Sequence, residues 1–157
     1  MGLSGMILKK GKKTNIHFLI NSIKVASINA GLEARVDSKL YDSFEGGVYT
    51  TANIADTYED LPEAQQWLMY IYSEDDWLNN GIDHPLKDEV VMRAVIIEDI
   101  YGCQKILLDF LYEYFKLNPE DYFWNELKWY YTYDDIARIK QNEFDPDWCY
   151  KDPKLLK

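Results

Sequence analysis

One run of eight residues, Val90-Val91-Met92-Arg93-Ala94-Val95-Ile96-Ile97, is apolar on both faces except at Arg93. A stretch of this length, rich in β-branched residues, suits a strand buried on both sides, and therefore a central one. The strand is expected over Glu89–Glu98. Directly after it, Asp99 can cap a helix whose Tyr101, Leu107, Leu108, Leu111, Tyr114 and Phe115 form a wide apolar stripe. That helix has to stop near Leu117-Asn118-Pro119, because proline disfavours helix at the residue before it.

The remaining elements are read against this pair. Ile16, Leu19, Ile20, Ile23 and Ala26 follow helical spacing, with Thr14 available as N-cap and Gly31 as a stop. Five β-branched residues between positions 16 and 28 argue for strand instead, and helix is the reading taken. Leu32–Tyr41 alternates and reads as a strand. Gly46-Gly47 marks a turn before a short strand at Val48–Thr51. Asp60-Leu61-Pro62-Glu63 is a helix start, and Ala64, Trp67, Leu68 and Ile71 recur at i, i+3, i+4 and i+7, so 61–72 is expected to be an amphipathic helix. Leu127–Thr132 reads as a strand, and Asp134 or Asp135 caps a short helix through Ile139. The interleaving predicts an α+β single domain with one mainly antiparallel sheet and helices packed on one face. Residues 1–13 are expected to be a flexible basic arm, 14–150 the domain and 151–157 a C-terminal tail.

Charge is unevenly distributed. The chain carries 27 acidic and 17 basic residues, net −10, yet its first 24 residues hold five lysines and no acid. The body is therefore strongly acidic, which disfavours direct nucleic-acid binding, since phosphate contacts need Lys and Arg. Aromatic content is high at 15%, with 13 Tyr and 5 Trp. Two cysteines make no disulfide framework and read as reduced thiols. The apolar run after Lys13 is interrupted by Asn21, Ser22 and Lys24 and is too short to span a bilayer, so a cytoplasmic protein without membrane association is expected. Two histidines, His17 and His84, lie in no metal-ligand spacing, and no nucleophile motif or glycine-rich phosphate loop occurs. No cofactor, metal or catalytic residue is assigned.

What stands out is the clustering of acids with aromatics. Glu74-Asp75-Asp76-Trp77 is the densest acidic segment and carries an aromatic anchor. Glu120-Asp121-Tyr122-Phe123-Trp124 and Tyr130-Tyr131-Thr132-Tyr133-Asp134-Asp135 are two further concentrations. Carboxylates attract Lys and Arg, while Tyr and Trp supply rigid area that excludes water. Glu74, Asp75, Asp76 and Trp77 are therefore the first expected partner-binding residues, with Asp121, Tyr122, Tyr131 and Asp134 second.

The strand Val90–Ile97, the helix Ile100–Lys116 ending at Asn118-Pro119 and the aromatic stretch Trp129–Tyr133, on an acidic background, resemble bacterial immunity proteins, which neutralise a cognate toxin domain. The resemblance covers about the last 70 residues. It implies a cytosolic, non-enzymatic inhibitor of a basic partner, often a nuclease, and carries over no individual residue. Two alternatives stand beside it: a phage-type inhibitor mimicking nucleic-acid charge, and a small enzyme with a carboxylate site.

Overall fold

The computed structural model describes residues 4–10, 15–43, 47–59, 62, 64–73, 85–86, 89 and 91–155. Among them, seven strands form one antiparallel sheet: β1 (Gly5–Lys10), β2 (Glu33–Val36), β3 (Tyr41–Asp42), β4 (Val48–Ala55), β5 (Gln66–Tyr72), β6 (Val91–Glu98) and β7 (Tyr122–Trp124). The order is β2-β4-β5-β6-β1-β7, with β3 beside β2 along the same edge of β4. Helices α1 (Ile16–Asn29), α2 (Gln104–Leu117) and α3 (Tyr133–Gln141) complete the α+β domain.

The expected central strand is β6, held between β5 and β1. Its pairing with β1 contains a bulge: Ile7 faces Val95 but Leu8 faces Arg93, leaving Ala94 as the extra residue. Ala94 and Val95 both enter the main core, and the alternation then restarts with Arg93 on the opposite face. That core gathers Leu19 and Ile23 of α1, Phe110 and Tyr114 of α2, and the inward residues Trp67 and Met69 of β5. Trp67 meets Phe110 edge-on at 5.7 Å, a geometry worth about 0.5–1.5 kcal/mol beyond burial. A smaller cluster on the other face joins Met6, Leu8, Leu86, Val91, Tyr122 and Trp124.

Helix ends follow local chemistry. Asn15, rather than Thr14, caps α1 through its side-chain oxygen; Thr14 lies outside the described residues. The helix stops where expected: Gly31, at φ 75°, lets Leu32 N–H reach Ser27 O and Gly31 N–H reach Ile28 O, a Schellman closure. Asp99 does not cap α2, whose N-cap is Cys103. Thr132 and Asp135 form a reciprocal capping box on α3.

Three expectations are corrected. Residues 66–72 are a strand, not the end of a helix: Trp67, Met69 and Ile71 alternate inward while Leu68, Tyr70 and Tyr72 face the other way. With both faces apolar, a period of two also satisfied the helical positions Trp67, Leu68 and Ile71. The start signals Asp60, Leu61 and Glu63 lie outside the described residues. Residues 127–132 are not a strand; the strand is Tyr122–Trp124, and from the later segment only Tyr131 bridges back to Phe123.

The third correction concerns the basic arm, since Gly5–Lys10 lies inside the sheet between β6 and β7. Gly5 is required there, because an added Cβ would sit 2.5 Å from the Phe123 ring. Lys9 is buried, and its Nζ donates to Asp121 Oδ2 at 2.7 Å and to Asn118 Oδ1 at 3.4 Å. The Tyr114 hydroxyl donates to the same carboxylate oxygen at 2.7 Å. Burial outweighs these partners and pushes the Asp121 carboxyl above its ordinary range.

Lys9→Met should lower unfolding free energy by about 3–5 kcal/mol, because a buried carboxylate loses its counter-charge. The folded state holds the Asp121 proton to higher pH than the unfolded chain, so this group's contribution declines as pH rises above the ordinary carboxylate range. Removing the ammonium moves the carboxyl higher still. Urea denaturation from pH 4 to 8 should therefore show a deficit that is smallest in acid and widens with pH; a pH-independent deficit would contradict the charge assignment.

Candidate functional site

The residues expected at a partner surface separate into three groups. Glu74, Asp75, Asp76 and Trp77 lie outside the described residues. Asp121, Tyr122 and Tyr131 are interior: Asp121 belongs to the Lys9 network, Tyr122 to the smaller core and Tyr131 to the main core. Tyr131 is fully buried because its hydroxyl ties the C-terminal segment, donating to Lys151 O at 2.7 Å. Asp134 is exposed, in the first turn of α3.

The sheet brings together a different set. On the face opposite the main core, strand register lines up residues in rows. One row is Tyr41–Tyr49–Tyr72, a second begins Thr51–Tyr70–Ile96, and a third is Arg35–Asn53–Leu68–Glu98. Tyr49 is the hub of the tyrosines, with ring centroids 5.6 Å from Tyr41, 6.2 Å from Tyr70 and 6.1 Å from Tyr72. These distances lie in the range of favourable aromatic pairs. Tyr49, Tyr70 and Tyr72 are half-buried and Tyr41 is exposed.

Cations and carboxylates frame the rings. The Arg35 guanidinium lies 3.6 Å from the Tyr58 ring centroid, and Arg93 lies 5.5 Å from that of Tyr72. Tyr58 OH donates to Asn53 O, fixing the ring that Arg35 covers. Two polar atoms on this face, Asn53 Oδ1 and Arg93 Nε, are buried without a hydrogen-bond partner among the described residues. Such atoms are rare in folded proteins and costly to leave unmatched. At the margin, Tyr41 OH donates to Asp37 Oδ2 at 2.6 Å while Lys39 N–H donates to Oδ1 at 2.9 Å. The phenol first, and the amide second, hold the Asp37 carboxyl below its ordinary range. Asp42 and Glu98 add exposed carboxylates.

The sheet's edges offer less to a partner strand. β7 is already bonded on its outer side, Phe123 N–H to Tyr131 O at 2.9 Å and Tyr131 N–H to Phe123 O at 2.8 Å. The other edge is split between β2 and β3, and the Asp37 turn interrupts it. Short, interrupted edges are a common protection against strand addition.

The face thus combines tyrosine rings, two guanidinium groups and exposed carboxylates. Both cysteines are buried, and burial pushes the Cys149 thiol up to about 12 and raises Cys103, which leaves neither as a ready thiolate. No three His, Cys, Asp or Glu side chains among the described residues group as a metal site. The tyrosine rows are hidden in the sequence because the helical spacing of Ala64, Trp67, Leu68 and Ile71 places Tyr70 and Tyr72 in a helix. Period-two alternation through 66–72, matched by Tyr49, Thr51 and Asn53, was the available signal. Comparison with protein-family models, curated proteins and solved structures finds no match.

Tyr41→Phe should raise the Asp37 pKa back toward the ordinary carboxylate range, read from side-chain carboxyl ¹³C shifts against pH. An unchanged Asp37 titration would refute the phenol as the main cause.

Proposed function

We propose that this chain is a non-enzymatic, protein-binding inhibitor of the immunity-protein kind, engaging a basic toxin domain through the tyrosine-lined face of its sheet. The observation that carries this reading is the Tyr41–Tyr49–Tyr70–Tyr72 group, flanked by Arg35 and Arg93, on the face away from the helices. Tyrosine and arginine are the residue types that dominate binding hot spots, because they desolvate large area with few rotatable bonds. The net charge of −10 would steer a basic domain toward the molecule, with the Tyr contacts then slowing its departure.

The test is affinity capture of a basic toxin domain from the source lysate with this chain as bait, at low and moderate salt, paired with growth rescue on co-expression. The wild type should retain the domain and restore growth. Tyr49→Ala with Tyr70→Ala should weaken binding by at least about 30-fold, the equivalent of about 2 kcal/mol for hot-spot residues. Raising salt should slow association more than it speeds dissociation. Full rescue and full capture by a correctly folded double variant would exclude this face. Absence of binding by the wild type would exclude the inhibitor reading itself.

A further inference from the structure

At the β7 end of the sheet, a groove of about 430 Å³ has an aromatic wall, Trp129 and Tyr130, and charges of both signs, Lys128, Lys154, Asp134 and Asp152. It lies away from the tyrosine rows: five strand spacings separate β4 from the Tyr131 bridge, or roughly 24 Å at about 4.8 Å each. Its volume falls within the usual range for small-molecule sites.

The wall is held in place before any ligand arrives. Trp129 Nε1 donates to Tyr131 OH at 3.0 Å, and that hydroxyl donates onward to Lys151 O. Tyr130 stands edge-on to Tyr122 with centroids 5.0 Å apart. Walls fixed in this way lose little freedom on binding.

The charges differ in their commitments. Asp135, also at the groove, is engaged by the α3 capping box and by Arg138 at 3.1 Å. One oxygen of Asp152 accepts the Lys154 backbone N–H at 3.0 Å. Asp134, Lys128 and the Lys154 ammonium have no hydrogen-bond or ion-pair partner among the described residues. Two acids in the first turn of α3 already complement its N-terminus, so the helix end gives a bare anion no advantage. Two lysines at the rim likewise disfavour a bare cation.

The geometry points to a small zwitterion with a cationic head, of the class of a free basic amino acid, as the ligand of this groove. The head would lie over Trp129 and Tyr130 against Asp134 and Asp152, where an aromatic face and a carboxylate both favour a cation. The ligand's carboxylate would meet Lys128 and Lys154. This assignment is independent of the inhibitor reading, since it uses none of the tyrosine-row residues.

The test is calorimetric titration of the full chain with L-arginine, compared with arginine blocked at both ends as N-acetyl-arginine amide. L-Arginine should saturate with a Kd of about a millimolar or below. The blocked form, which stands for an arginine within a peptide, should bind at least about tenfold more weakly, as expected when a charged hydrogen-bonding partner is lost. Asp134→Asn, at an exposed position, should weaken L-arginine by about tenfold with the circular dichroism unchanged, whereas Tyr49→Ala should leave it unaltered. Lack of saturation in the wild type, equal affinity for the blocked form, or undiminished affinity in Asp134→Asn would overturn the proposal.

Discussion

The pairing of β1 with β6, and the single bulge within it, is the constraint on which the rest of the sheet depends. Without the extra residue at Ala94, strict alternation below Val95 would turn Arg93 into the helix-facing core and Met92 away from it. An unpaired guanidinium in that core would face a large desolvation penalty. With the bulge, Ala94 and Val95 both pack under the helices and Arg93 emerges beside Tyr72 on the other face. One irregularity therefore keeps the core apolar and also puts a cation among the tyrosines.

β1 is itself secured by side chains distant in sequence. Lys9 reaches Asp121 across 112 positions, and Tyr114 bonds to the same carboxylate from the end of α2. A buried pair of this kind adds little net stability over an apolar pair, but removing one partner is severe. It ties the first strand to the turn before β7. The close approach of Phe123 over Gly5 adds a steric fit on the other end of that strand.

The C-terminal segment is as integral as the sheet. Trp148 and Cys149 are fully buried, Trp148 Nε1 donates to Gln104 O at 2.8 Å, and Asn125 donates to Cys149 O. Arg138 reaches Pro153 O at 2.6 Å. These bonds close the stretch between β7 and α3 over the main core and leave the groove beside Trp129 at its border. The tyrosine rows and the groove thus lie toward opposite ends of one sheet, each supported by elements that the other does not use.

Local pattern by itself determined the elements whose periodicity had one reading. The strand at 91–98, the helix after it with its end before Pro119, and the helix stopped by Gly31 follow from β-branched runs, amphipathic spacing and terminal residues acting within a few positions. The α+β class follows from their alternation. Tertiary structure alone decided what depended on partners far away in the chain. An N-terminal lysine-rich stretch became a strand because Met6, Ile7 and Leu8 could be covered from both sides and Lys9 could meet Asp121. Gln66–Tyr72 became a strand because β4 and β6 hydrogen-bond both its edges, a gain invisible to a helical reading of the same apolar residues. Tyr122 and Tyr131 went inside, while Tyr41, Tyr49, Tyr70 and Tyr72 met on one face, because only strand register decides which residues, 8 to 23 positions apart, become neighbours.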